Sequence, residues 1–151
     1  MSRKYWLMKS EADCFSYDDL MAADNQTTYW DGIRNYEVRN MLRDDVQVGD
    51  LVLFYHSNAK PPGVAGIAEV VRAGYPDFTA FDKNDDHYDL KSNPDAPTWY
   101  MVDLKAVEKF STYVGLPELR ERLELSEMVL FKRNRLSVTP VDKIEFETIR
   151  K

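Results

Sequence analysis

Four short runs of the chain place side chains that can stack, donate and accept within a few residues of one another. The first is Tyr29-Trp30-Asp31-Gly32-Ile33-Arg34-Asn35-Tyr36, a large aromatic beside a glycine turn with a guanidinium and an amide close behind. Such a group can stack a flat ring on the indole and hydrogen-bond its edge through Arg34 and Asn35. It serves equally as a core tryptophan on a loop, with Arg34 in a structural ion pair. The second is Phe54-Tyr55-His56-Ser57-Asn58, where an apolar strand ends abruptly in groups that donate or accept. A polar hairpin loop in which Ser57 and Asn58 serve the turn accounts for it as well. Lys9 with Ser10, at the end of the first strand, is the third. The fourth is the cluster Lys132, Arg133 and Arg135 leading into Leu136-Ser137-Val138. Basic runs of this kind are most often simply solvated.

Aromatic residues also gather around a segment rich in Pro, Asp and Asn between Tyr75 and Pro97, which reads as one long loop. Tyr75, Phe78, Phe81, Tyr88 and Trp99 line or flank it, and so many exposed rings are costly unless they cover something. A lid over a pocket explains them, and so does a small satellite core.

The candidates for catalysis are weaker. Neither His56 nor His87 has metal-ligand spacing, and the single cysteine, Cys14, has no nearby group to activate it and reads as an inert thiol. Gly63 and Gly66 are spread along a hairpin and form no phosphate-cradling loop. Asp85, Asp86 and Asp89 do not have the spacing of a calcium loop and read as solvated charge. The expectation is a protein without a metal or cofactor that is not an enzyme.

The 151 residues carry 26 acidic and 20 basic side chains, a formal net charge of −6. Long-range attraction to phosphate therefore does not dominate, which argues against a general duplex binder and leaves room for a reader of one nucleotide with a local basic spot. Hydrophobic residues make up 44% of the chain, ordinary for a globular protein, and one domain over 1–151 is the expectation. No apolar run approaches the ~20 residues that span a bilayer, and Met1 to Leu7 lead into a strand rather than a secretory signal, so no membrane is expected and a cytoplasmic location is.

The elements that must position these groups follow from periodicity. Tyr5 to Met8 reads as a buried strand, and Ser16 with Asp19 caps a short helix. From Asn35 to Val46 the side chains of Val38, Met41, Leu42 and Val46 fall at helical spacing, with Arg39 and Arg43 on another face. Leu51 to Tyr55 and Val64 to Val71 form a hairpin. Val102, Leu104 and Ala106 alternate with polar residues, and Val107 interrupts them as a bulge does. Pro117 opens a helix through Leu123, Leu136 to Val138 is a short strand, and Thr139 with Pro140 caps a closing helix through Ile149. This order does not repeat a βα alternation. It predicts an α+β fold in which a curved, mostly antiparallel, barrel-like sheet carries helices on its outside.

Taken together, Tyr5-Trp6-Leu7-Met8-Lys9-Ser10-Glu11, then Trp30-Asp31-Gly32-Ile33-Arg34-Asn35-Tyr36, then Gly49-Asp50 leading to Phe54-Tyr55-His56-Ser57-Asn58, resemble the EVE domain of the PUA-like superfamily. Gly63-Val64-Ala65-Gly66-Ile67-Ala68-Glu69-Val70, Tyr75-Pro76-Asp77, and Arg135-Leu136-Ser137-Val138 with Pro140 agree in the same order. The resemblance implies a PUA-like pseudo-barrel related to the YTH domain, which holds a methylated adenine in an aromatic cage. Leu7-Met8-Lys9-Ser10 is similar to the first-strand end of YTH domains, and Trp30 looks like their first cage tryptophan. The chain departs from the usual family pattern at Ala12, Val38 and Leu90; the first and third bear on the pocket rim and the second on packing.

The function so implied is a non-catalytic reader of a modified nucleobase in DNA or RNA. The base stacks on Trp30, with an aromatic from the Tyr75 to Phe81 loop, Tyr75 and Phe78 among them, as a second wall, and His56 belongs to the same ligand-binding set. Lys9, Ser10, Asn35, Ser57 and Asn58 read the base edge, while Arg34 and Arg135 meet a neighbouring phosphate. The alternative is a sensor of a small planar molecule or free nucleotide using the same pocket, told apart by comparing a free nucleoside with the same base in an oligonucleotide. An enzyme acting on a nucleotide or tRNA would have only His56 to offer as a base.

Overall fold

The computed structural model describes residues 4–11, 15–30, 35–57, 59, 61–85, 88–89, 98–133 and 136–150. Six strands, β1 (Tyr5–Glu11), β2 (Thr27–Trp30), β3 (Leu51–Ser57), β4 (Gly63–Pro76), β5 (Tyr100–Gly115) and β6 (Val138–Val141), form one sheet in the order β2-β5-β4-β3-β1-β6. All neighbours are antiparallel except β1 and β3, which run parallel. Among the described residues five short α-helices, α1 (Tyr17–Ala22), α2 (Tyr36–Asn40), α3 (Leu116–Glu121), α4 (Val129–Lys132) and α5 (Lys143–Arg150), pack outside it.

Alternation along the strands gives each face of the sheet a core of its own. On one face Leu7, Leu53, Tyr55 and Ile67 are covered by Leu119, Leu130 and Phe146 from α3, α4 and α5. On the other, Met8, Val52 and Phe54 are covered by Leu20 of α1 and Val38 of α2. This second core also takes Trp30 from one edge strand and Val138 from the other, so the sheet curls until its two edges share an interior. Among the described residues no ladder joins β2 to β6, and the two edges are related only through this shared core.

Local chemistry explains most boundaries. The Ser16 hydroxyl accepts from the Asp19 N–H at 3.1 Å and the Asp19 carboxylate accepts from the Ser16 N–H at 2.8 Å, a complete capping box for α1. The segment expected to be one helix through Val46 is α2 followed by a single π turn, Met41–Asp45, with Val38, Leu42 and Val46 buried. Arg39 donates to the Thr98 carbonyl at 2.8 Å, while Arg43 pairs with Asp44 on the surface. Ile67 pairs with Glu108 and Ala68 with Ala106, leaving Val107 as the extra residue of a bulge. Gly66 is required by close approach: a Cβ there would lie 2.6 Å from the Glu108 carbonyl oxygen and 2.8 Å from the Tyr17 ring, whose hydroxyl donates to the Ile67 carbonyl.

Gly49 turns the chain with φ of +95° and delivers Asp50, a buried carboxylate, to the start of β3. It accepts from the Lys4 and Gln47 backbone N–H groups and, at 2.9 Å, from the Trp6 indole N–H, tying the starts of β1 and β3 together.

One expected boundary is corrected. Thr139 and Pro140 do not cap the closing helix but lie within β6; α5 starts after Asp142, whose N–H donates to Glu145 at 2.9 Å. An edge strand tolerates a proline because the missing N–H has no ladder bond to make. Among the described residues no helix is long and apolar enough to cross a membrane.

Candidate functional site

Because β1 and β3 are parallel, their polar ends reach the same rim of the sheet: Lys9 stands beside Tyr55, Ser10 beside His56 and Glu11 beside Ser57. Consecutive residues of a strand point to opposite faces, so this rim serves two different spaces.

On the face of the α1 and α2 core stand Ser10 and His56. The Ser10 hydroxyl donates to the Phe15 carbonyl at 2.6 Å, and the Phe15 N–H returns to the Glu11 carbonyl, folding the chain back over the rim. His56 Nε2 accepts from the Tyr17 N–H at 3.0 Å, which places the ring proton on Nδ1. Burial pushes the His56 pKa below its ordinary value, against the pull of Asp18 and Asp19. Phe54 is the hub of this corner: Trp30 meets it edge-on at 5.4 Å, Tyr17 at 5.3 Å and His56 at 5.7 Å. Trp30 itself is 8% exposed, a wall of the interior with only a margin open.

On the opposite face stand Lys9 and Ser57. The Lys9 ammonium lies 5.8 Å from the centre of the Tyr55 ring, and burial lowers its pKa. Both residues line a cavity of about 280 Å³ whose far wall is α3 and α4. The side chains expected to read one base edge thus divide across the sheet, with Ser10, His56 and Trp30 on one side and Lys9 and Ser57 on the other.

The remaining expected site residues sit elsewhere. Asn35 is the N-cap of α2, its amide oxygen accepting from the Val38 N–H at 3.1 Å. Tyr75 donates to Asp103 and lies under the Arg72 guanidinium at 3.6 Å; burial and the carboxylate hold its phenol well above the usual range. Phe78 meets Tyr29 edge-on at 5.0 Å, and the two rings are 50% and 46% exposed. Tyr29 precedes Trp30 in β2 and faces the other way, so Phe78 approaches the sheet from the side that Trp30 leaves. Trp99 stacks on Tyr36 at 5.0 Å and donates its indole N–H to Asp89. Among the described residues these rings form separate pairs, Tyr29 with Phe78 and Tyr36 with Trp99. Arg34, Asn58 and Arg135 lie outside the described residues, as do Cys14 and His87.

Of the basic run, Lys132 pairs with Glu127 and Arg133 with Glu37. Among the described residues no three metal-ligating side chains come together. A larger cavity of about 740 Å³ opens at the other end of β1, between Tyr5, Trp6, Met41 and Pro140, and holds none of the expected site residues. Three participants were not anticipated: Phe15 and Tyr17, which fix Ser10 and His56, and Arg120 of α3, which enters the smaller cavity. Only the aromatic run around Phe15 carried any signal for them.

The chain matches the model of the EVE domain over residues 4–151. It is 43% identical to thymocyte nuclear protein 1 of Homo sapiens over 162 residues, which takes in 96% of this chain and 72% of the relative. A hypothetical protein from Leishmania major superposes with a TM-score of 0.92 at 51% identity, covering 98% of this chain and 92% of the other. The crystal structure of human THYN1 in complex with 5-methylcytosine containing DNA superposes with a TM-score of 0.93 at 42% identity, covering 97% and 95% of the two chains.

Proposed function

The chain belongs to the EVE domain family, and on that premise we propose that it is a non-catalytic reader of a modified nucleobase, with 5-methylcytosine in DNA as the first ligand to test. The observation that carries this reading is the human relative, similar over nearly the whole chain, that was crystallised with 5-methylcytosine containing DNA.

The face of the sheet that bears Trp30, Ser10 and His56 suits the task. Trp30 has only a margin of its surface open, so a base would reach it only after rotating out of its stack. His56 Nδ1–H and the Ser10 hydroxyl then stand on the same face to meet its edge, and Arg34 and Arg135 are the expected contacts to phosphate. The lack of chemistry belongs to the same proposal: His56 Nε2 is occupied by the Tyr17 N–H, so the one histidine at the rim cannot take a proton there without giving up that bond. A cytoplasmic location goes with it and is checked by fractionation.

Fluorescence anisotropy with matched oligonucleotides carrying cytosine or 5-methylcytosine tests the reading. The protein prefers the methylated strand, and Trp30→Ala, verified as folded by circular dichroism, loses about 1 to 3 kcal/mol of that binding. Trp30→Phe serves as the second variant should alanine unfold the core. Equal affinity of the unaltered protein for both strands would overturn the proposal.

A further inference from the structure

The cavity on the far side of the sheet has a lining that the base slot does not use. Tyr55 is 4% exposed and reaches the cavity from β3, yet its hydroxyl makes no hydrogen bond among the described residues. A hydroxyl at this wall can donate to, or accept from, a group that enters the cavity. Ser57, two residues on and on the same face, likewise has its hydroxyl without a partner among the described residues. Arg120 of α3 lines the opposite wall, close enough for its charge to act on the Tyr55 phenol, and forms no ion pair among the described residues. Lys9 has interactions of its own within the protein and adds a second positive charge. Among the described residues the lining contains no carboxylate, and its other half is apolar: Pro62, Leu116, Leu130 and Phe131.

We propose that this cavity is an anion site for the phosphate of a nucleotide, bound by Arg120, Tyr55 and Ser57 in the field of Lys9. The donor set suits phosphate: a guanidinium fork and two hydroxyls beside an ammonium match a group that presents three or more oxygens and up to two negative charges. Size sets the limit on the rest. At about 280 Å³ the space is just under the roughly 300 Å³ at which small-ligand pockets begin, so it admits one nucleotide-sized group and not a strand. The phosphate has two possible sources, a free mononucleotide or one phosphodiester of a strand held at the rim. The site lies across the sheet from Trp30 and stands or falls apart from the base-reading proposal.

Isothermal titration with dCMP, deoxycytidine and inorganic phosphate, alongside anisotropy with a short single-stranded oligonucleotide, tests it. Binding of dCMP at least about tenfold tighter than deoxycytidine, weakened about tenfold by Arg120→Gln and several-fold by Tyr55→Phe, supports the site with a free nucleotide as ligand. No saturable binding of dCMP, with oligonucleotide affinity lowered about tenfold by Arg120→Gln equally for methylated and unmethylated strands, supports it with a backbone phosphate instead. Arg120 is exposed, so the Arg120→Gln protein should keep its fold, which circular dichroism checks. Unchanged affinities for both dCMP and oligonucleotide in the Arg120→Gln protein overturn the proposal. So does a loss confined to the methylated strand, which would assign Arg120 to the base slot.

Discussion

His56 shows how a single side chain at the rim is committed by its surroundings. Its Nε2 accepts a backbone N–H, its ring meets Phe54 and Tyr113, and burial holds its pKa below the ordinary 6.5. In the unfolded chain the imidazole gains a proton at about pH 6.5, but in the folded protein it does so only at lower pH. Its contribution to stability is therefore whole above about pH 6.5, declines as pH falls below that, and is gone beneath the folded value. A melting series between about pH 7.5 and 5 should show the unaltered protein losing stability on acidification faster than His56→Gln. An NMR titration placing His56 above 6.5 would contradict burial as the dominant influence. Asp50 is the opposite case, a buried carboxylate held by three N–H donors and far from the rim. It explains why a Gly-Asp pair belongs to the pattern of this chain without touching a ligand.

Among the elements, the β4–β5 arm and α1 are locked together through Gly66. Gly66→Ala places a methyl group against a strand carbonyl and the Tyr17 ring, neither of which can retreat without breaking the ladder or the Tyr17 hydrogen bond. Urea unfolding should show a loss of about 1 to 3 kcal/mol, the usual cost of overpacking. A neutral effect would mean that the ring can swing away. Several elements were legible in the sequence for equally local reasons. The Ser16 to Asp19 box, the helical spacing of Val38, Leu42 and Val46, and the bulge at Val107 all depend on neighbours within a turn or a strand pair. β2 was not legible, although Thr27-Thr28-Tyr29-Trp30 is rich in β-branched and aromatic residues, because four residues beside a glycine read as well as a loop. Thr139 and Pro140 misled because a Thr-Pro pair ahead of a periodic run has the same local form at a helix start as in an edge strand.

The candidate site shows the same limit one level up. Which polar residues end β1 and β3 could be read from the chain; which face each one serves could not, since that depends on a parallel register between strands 46 residues apart. Arg120 was invisible because nothing near Pro117 in sequence points to a cavity formed with β3.

For the molecule as a whole, a net charge of −6 fits the proposed reading of nucleic acid at a point rather than along a track. With about two phosphates neutralised, log affinity should fall against log salt with a slope no steeper than about −2. A titration across salt concentrations giving a slope several-fold larger would indicate an extended backbone track in place of a local site. The parallel pairing of β1 with β3 also limits how such a protein can diverge. Adding or deleting one residue within β1, between Tyr5 and Lys9, reverses the parity of its end, sending the ammonium toward the indole and the serine toward Tyr55. Both proposed sites would be rearranged by a single codon, so the count of residues within β1 is constrained by register in a way that loop length is not.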